Sequence, residues 1–277
     1  MKGNFPTLGL LNDGYQARAL ALSAMRLGII VNIYRGQLRD SEELDKFVES
    51  SDLLTQIGDG IPISLLHNLQ AKGVLVRPSP ELQNFGIPQE SDVQILVARS
   101  PHGQASTWRP MDVIKYGQGL LLSTNSGGSE YVQNIALSYA NDIQLIGVAL
   151  LGISTAGDTP SIDSMMIGPT LWGQWSEIGA RTSQNEQHLR ALFDLPLGDT
   201  QMFSRNVVAG FFAGKAGANL YRPYLHLMAR NPDLKFEQYG SELEGFRGQV
   251  TAHGKVLLDL NSAIEHALDF MNGVIDE

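Results

Sequence analysis

Cysteine is absent from the 277 residues of this chain, which excludes disulfides, thiolate metal sites and a cysteine nucleophile together. Cations are scarce: 20 lysines and arginines stand against 29 aspartates and glutamates, a formal charge of −9. Nucleic-acid binding depends on clustered lysine and arginine against phosphates, so no nucleic-acid partner is expected. Nowhere does an apolar run approach the roughly 18 residues of a membrane span, so no membrane partner is expected either. The opening MKGNFPTLGLL has one lysine, an early proline and no apolar run of secretory length, and the expectation is a soluble cytoplasmic protein. A hydrophobic content of 43% suffices for a sizeable core, and the length fits one large or two smaller domains.

TLGLL at 7–11 has the length of a buried strand and runs straight into the turn signal NDG. From Tyr15 onward Ala17, Leu20, Ala21, Ala24 and Leu27 recur at helical spacing, until Gly28 stops the helix before IIVNIY at 29–34. This is a βαβ unit, whose helix N-terminus offers backbone N–H groups and a positive dipole end. A phosphate or carboxylate over Asn12, Asp13 and Gly14 would use it, although Gly9 and Gly14 lack the GxGxxG spacing of a dinucleotide site. A turn with a purely structural role is the alternative. DSEELDKFVESSDLL reads as a helix capped by Asp40 or Ser41, with Leu44, Phe47 and Val48 on one face. ISLLHNLQAKG is another, ended by Gly73, and VLVRP follows as a short strand. His67 has no acidic or nucleophilic neighbour in sequence and reads as a surface or half-buried imidazole.

Further on, SEYVQNIALSYANDI at 129–143 is amphipathic, with Val132, Ile135, Ala136 and Tyr139 towards a sheet. GDTP at 157–160 is a turn between strands. In SQNEQHLRALFDL, Leu189, Leu192 and Phe193 face inward while Glu186 and Arg190 form an i,i+4 pair; His188 lacks a catalytic partner in its own stretch and reads as packing or a dimer contact. Met111, Met165 and Met166 read as core. AGKAGANLYRP at 213–223 is loop-like, and NSAIEHALDFMNGVIDE is a helix that docks through Ile264, Ala267, Leu268 and Met271.

Three blocks, RALALSAMRLGIIVNIY at 18–34, KGVLVRPSPE at 72–81 and TSQNEQHLRALFDLPLGDT at 182–200, resemble N5-carboxyaminoimidazole ribonucleotide synthetases. Weaker similarity through ILVARSPHGQASTWRP and ANDIQLIGVALLGISTAGD extends the likeness to about residue 214. The resemblance implies an ATP-grasp fold, and an enzyme of purine biosynthesis that uses ATP and bicarbonate to carboxylate 5-aminoimidazole ribonucleotide. The expected fold is therefore α/β: an N-terminal doubly wound, Rossmann-like pre-ATP-grasp domain at 1–88, a remnant C-terminal ATP-grasp subdomain at 89–214, and a small C-terminal β subdomain with a terminal helix at 215–277.

The departures from that family are concerted. Between RPSPE and VQILVAR the family carries the subdomain that closes over the triphosphate; here LQNFGIPQESD stands instead, and eleven residues cannot build a strand-and-turn lid. Where the family has a metal-holding glutamate before a GD turn, this chain has Gly152. Against a family motif close to NEIAPRPHNSGHWT it reads DSMMIGPTLWGQWS at 163–176. Pro169, Gly173 and Trp175 persist, but Ser164 replaces the glutamate, Gly168 the arginine, and Thr170 and Gln174 the histidines; Asp163 stands for the asparagine. Mg²⁺ needs hard oxygen ligands, so neither a metal nor ATP is expected as cofactor, and no catalytic residue is assigned.

On the ribonucleotide side the family has a basic motif resembling RPGRKMGH, against FRGQVTAHGKVLL at 246–258. Arg247 and Lys255, helped by Arg18, would hold a 5′-phosphate of a phosphoribosyl ligand, unless they are solvated surface cations. With Gln174 and Trp175 these complete the candidate ligand-binding residues. The expectation is a degenerate, non-catalytic relative of the synthetase, acting as a ligand-binding, regulatory or scaffolding protein, homodimeric as the resemblance implies. The alternative is a minimal or altered enzyme acting on a phosphoribosyl-imidazole, with a cleft around Asp13, Asp163, Gln174 and Lys255. A protein partner supplying the missing lid is a third reading, marked by an apolar patch beside residues 82–92.

Overall fold

The computed structural model describes residues 5–39, 41–57, 61–124, 129–157, 159–214 and 221–275. The N-terminal unit runs β1 (Thr7–Leu10), α1 (Tyr15–Arg26), β2 (Ile30–Ile33), α2 (Glu42–Glu49), β3 (Leu53–Thr55) and α3 (Ile63–Ala71). Its strands form a parallel sheet in the order β2-β1-β3, the outcome of two βα crossovers around β1. Gly28 and Gly73 end α1 and α3 at φ of 72° and 85°, the left-handed region that only glycine enters without strain. Ser41 caps α2 by accepting from the Leu44 N–H at 3.2 Å; the other candidate cap, Asp40, lies outside the described residues. VLVRP does not become a strand: Val76 makes one parallel bridge to Leu54, because the chain turns away at Pro78.

The remainder is built on one antiparallel sheet. Its elements are β4 (Val93–Arg99), β5 (Ala105–Thr107), β6 (Met111–Tyr116), β7 (Gly119–Thr124), α4 (Ser129–Asp142), β8 (Gly147–Ser154), β9 (Ser161–Ile167), α5 (Ser176–Gly179), α6 (Gln184–Leu192), β10 (Asn206–Phe212), α7 (Arg222–Arg230), β11 (Lys235–Leu243), β12 (Phe246–Gly254) and α8 (Leu257–Met271). The nine strands follow the order β11-β12-β10-β7-β6-β4-β8-β9, with β5 on β4. The C-terminal strands thus make no separate sheet: β12 pairs with β10 over seven residues, and β10 pairs with β7. The turn expected at GDTP joins β8 to β9, with Asp158 outside the described residues; of the loop at 213–223, residues 215–220 also lie outside them.

Both faces of the sheet are covered, which is why its central strands read as continuous apolar runs. On one face α4 packs Val132, Ala136 and Ala140 over Val93, Ile95 and Val97, and α8 packs Ile264, Ala267, Leu268 and Met271 over β10 and β12. On the other, Trp108, Trp172, Trp175 and Phe211 fill the space beneath the GPTLWGQWS segment. Ser183 caps α6 by accepting from Glu186 N–H, and Leu189 and Leu192 of α6 enter the core of the N-terminal unit beside Leu8, Leu10 and Leu20. Helix α6 is therefore the joint between the two parts. Among the described residues, no helix is long and apolar enough to cross a membrane.

Candidate functional site

Segment 82–92, where the resemblance implies a lid, folds back along the sheet. Phe85 exchanges backbone hydrogen bonds with Met165 at 3.0 and 2.8 Å, and Asn84 Oδ1 accepts from Ile167 N–H at 2.8 Å, so the segment shields the edge of β9. Ser91 then reaches inward, its hydroxyl donating to Asp163 at 2.5 Å and lying 3.1 Å from Ser164 Oγ. Gly152 is paired with Ser164, and a Cβ on it would meet the hydroxyls of Ser91 and Ser164 at 2.0 Å. Position 152 thus takes a methyl group only if both hydroxyls turn away, and Asp163 spends its carboxylate on Ser91. Among the described residues no group of three or more His, Cys, Asp or Glu side chains could hold a metal ion. These residues do not fit Mg²⁺ with a nucleotide triphosphate.

The first βα turn is also occupied by its own chain. Asn12 donates to Ile57 O at 3.0 Å, and Asp13 is held by Arg35 at 2.9 Å and Arg18 at 3.7 Å. The Arg35 hydrogen bond, against a smaller desolvation, pulls the Asp13 carboxyl below its ordinary value. Arg18 therefore faces a carboxylate already present. Arg247 and Lys255 do not converge: eight residues apart along and just past one strand, they are separated by about 27 Å. No single phosphate can bridge them, and both read as surface cations. His67 lies 3.7 Å from Glu81, an acidic neighbour the local sequence did not show.

What does converge lies between α1, α5, α6 and β11. Tyr15, at the first turn of α1, donates a short hydrogen bond to the Glu237 carboxylate. Strand alternation puts Glu237 and Tyr239 on one face, opposite Gln249, and the Tyr15 and Tyr239 rings lie 4.7 Å apart. Gln174 joins from the segment before α5: its Oε1 accepts from Gln184 at 3.1 Å and from Asn185 at 3.2 Å, and its side chain also bonds Glu237. Asn185 donates to Glu177 at 2.7 Å. Trp175, the remaining candidate, is core, buried with Trp172 under the sheet. Of the eight sequence candidates only Gln174 belongs to this cluster.

Burial raises the Glu237 carboxyl from 4.5 to about 7, with the Glu177 charge adding to it and the Tyr15 and Gln174 hydrogen bonds opposing it. Burial also raises both tyrosines. A carboxyl whose folded value exceeds its unfolded value contributes stability that is complete below pH 4.5 and is lost as pH rises through 7. Glu237→Gln should therefore be less sensitive to pH than the wild type between pH 4.5 and 7; urea titrations across that window, read as free energy, should show the wild type falling relative to the variant. Parallel curves would place Glu237 in ordinary solvent.

Sequence reading missed Glu237, Tyr239 and Glu177 because they belong to two distant segments, β11 and α5, with no shared motif. The one available signal was KFEQY at 235–239, which puts a carboxylate and a tyrosine on the same side of a strand.

No family model matches the chain. N5-carboxyaminoimidazole ribonucleotide synthase of Mycobacterium bovis is 27% identical over 234 residues, 77% of this chain and 54% of that protein. The enzyme of the same name from Mycobacterium leprae is 29% identical over 184 residues, 61% of this chain and 42% of that protein. The chain thus spans about half the length of the curated relatives it matches. A crystal structure of N5-carboxyaminoimidazole synthase from Aspergillus clavatus, in complex with ADP and the aminoimidazole ribonucleotide, superposes with a TM-score of 0.81. It is 13% identical, over 98% of this chain and 99% of that one, and shows the fold alone.

Proposed function

We propose, from the premise that this chain is an N5-carboxyaminoimidazole ribonucleotide synthase-like protein of ATP-grasp-like fold, that it no longer carries out ATP-dependent carboxylation and acts instead as a small-molecule-binding protein. The observation that carries the reading is the packing of segment 82–92 across β8 and β9, with Ser91 and Ser164 closed over Gly152. Three groups that phosphoryl transfer requires, a metal-holding pair of carboxylates, a phosphate cation and a closing lid, have no counterpart at those positions. Cytoplasmic location and a homodimer belong to the same proposal.

The test is phosphate release from ATP with Mg²⁺, bicarbonate and 5-aminoimidazole ribonucleotide. No release above the protein-free blank is expected, and ribonucleotide-dependent turnover would overturn the reading. Calorimetric titration with the ribonucleotide and, separately, with other small molecules reads the binding part.

One observation favours a second reading, an altered enzyme working without ATP. Glu237, raised to about 7 beside Tyr15, is suited to proton transfer near neutral pH, and charged groups do converge, although not those expected at Asp13, Asp163 and Lys255. The lid-supplying partner has weaker support: Phe85 and Ile87 are exposed on the replacing segment, but Phe85 is bound through its backbone to β9.

A further inference from the structure

A cavity of about 260 Å³ opens between α8 and the end of α7 with the turn that follows it. It lies on the face of the main sheet that α8 covers, across the sheet from Trp172 and Trp175. Helix α8 divides its sides there. Ile264, Ala267, Leu268 and Met271 dock on the sheet, while Ser262 and His266, four positions apart and so on one side of the helix, line the cavity. From the α7 side come Arg230, in the last turn, and Asn231, the C-cap residue, with the buried Leu227 and Leu234 completing the lining.

The polar groups that meet here are not spent on one another. Among the described residues Arg230 forms no ion pair, and the Arg230 guanidinium, the Asn231 amide and the Ser262 hydroxyl have no hydrogen-bond partner. A second observation gives the sign of the cavity. Burial and then the charge of Arg230 hold the His266 imidazole below its ordinary value, with His226 adding to this and Asp269 opposing it more weakly. The guanidinium therefore outweighs the one carboxylate that acts on this ring.

An oxyanion is the complement of such a lining, because a guanidinium offers parallel N–H groups to two oxygens of one head group, and the amide and hydroxyl add further donors. A phosphate dianion fits less well. Arg230 brings a single charge, and the cavity adjoins the carbonyl end of α7, whose partial negative charge opposes a dianion. A carboxylate is matched by one guanidinium, and the leucines suit a carbon skeleton. The volume, below the roughly 300–1,000 Å³ of sites for drug-sized ligands, keeps that skeleton short.

We propose that the cavity between α7 and α8 binds a small organic monocarboxylate, held by Arg230 with Asn231 and Ser262. This goes beyond the reading above and uses none of the residues on which that reading stands. ATP turnover or ribonucleotide binding would decide the one and leave the other untouched.

The test is NMR titration of the full chain with benzoate at neutral pH, following the His266 ring, whose signals are those lost in His266→Gln. Saturable movement of these signals is expected, and saturating benzoate should move the His266 titration upward, because the added anion offsets Arg230. The groups acting on this ring are Arg230 and His226 from α7 and Asp269 on α8 itself. Benzamide, which keeps the shape and loses the charge, should bind at least about tenfold more weakly. Arg230→Gln, a change at an exposed position, should lose about tenfold in benzoate affinity with the melting temperature unchanged. Should His266→Gln misfold, calorimetry on the wild type and Arg230→Gln reads the same affinities. No saturable response to benzoate at millimolar concentration, equal binding of benzamide, or an unaffected Arg230→Gln variant would each overturn the inference. A response to inorganic phosphate without one to benzoate would overturn the carboxylate assignment.

Discussion

Gly152→Glu, which returns the carboxylate that the resemblance implies at this position, is expected to destabilise the protein by at least about 3 kcal/mol and to restore no ATP hydrolysis. The cost has two sources. A Cβ would stand 2.0 Å from the hydroxyls of Ser91 and Ser164, so both must turn away and Ser91 must give up its hydrogen bond to Asp163. Overpacking of this kind costs roughly 1–3 kcal/mol. Beyond the Cβ, the new carboxylate enters a site whose nearest charged group is Asp163, 2.9 Å from that Cβ, so it is desolvated against a like charge. Urea denaturation compares the variant with wild type. A loss below about 1 kcal/mol would mean that segment 82–92 moves aside and leaves room for a carboxylate at 152. The proposal of lost carboxylation chemistry would then have lost its main support.

The second large effect is at His188. It is fully buried at the joint, where Nδ1 accepts from the Val148 N–H of β8 at 3.1 Å and Nε2 lies 3.5 Å from Thr55 Oγ1 of β3. The accepting Nδ1 fixes the neutral tautomer with its proton on Nε2. His188→Ala is expected to cost about 2–4 kcal/mol, from the cavity and from the buried N–H of Val148 left without an acceptor. Burial lowers the imidazole from 6.5 to about 3, so below pH 6.5 the unfolded chain takes up a proton the folded one refuses. Stability contributed by the neutral ring is present above pH 6.5 and is lost by about 1.4 kcal/mol per unit as pH falls towards 3. His188→Gln, which keeps an acceptor and does not titrate, should show a slope shallower by that amount in urea titrations between pH 6 and 4. Equal slopes would mean that the ring is hydrated and protonates in place. In the upper part of this window Glu237 acts with the opposite sign, so the two variants should diverge most between pH 4.5 and 6.5.

The features legible in the sequence are those decided within one helical turn or one strand. The glycine stops at 28 and 73, the serine cap at 41, the Glu186–Arg190 pair at 2.5 Å and the docking stripe of α8 depend on residues at most a few positions apart. That positions 152 and 164 hold a glycine and a serine, where the resemblance implies carboxylates, is read from the sequence itself. The inward face of α6 was equally readable, because its apolar spacing is local. Its role as the joint was not.

Tertiary structure alone decided what these elements met. Arg247 and Lys255 were a plausible pair while FRGQVTAHGK had no geometry, and one extended strand puts them at its two ends. The C-terminal strands had no visible partner until β12 found β10, some forty residues earlier, and continued the main sheet. Segment 82–92 carried too few residues for a lid, but only its path along β9 made it a filler of the site. Tyr15 and Glu237, separated by 222 positions, share a hydrogen bond that no spacing rule contains. Side-chain periodicity within an element is fixed by backbone geometry and can be read from the chain, whereas the meeting of buried polar groups depends on register and on which faces pack, and folding settles both together.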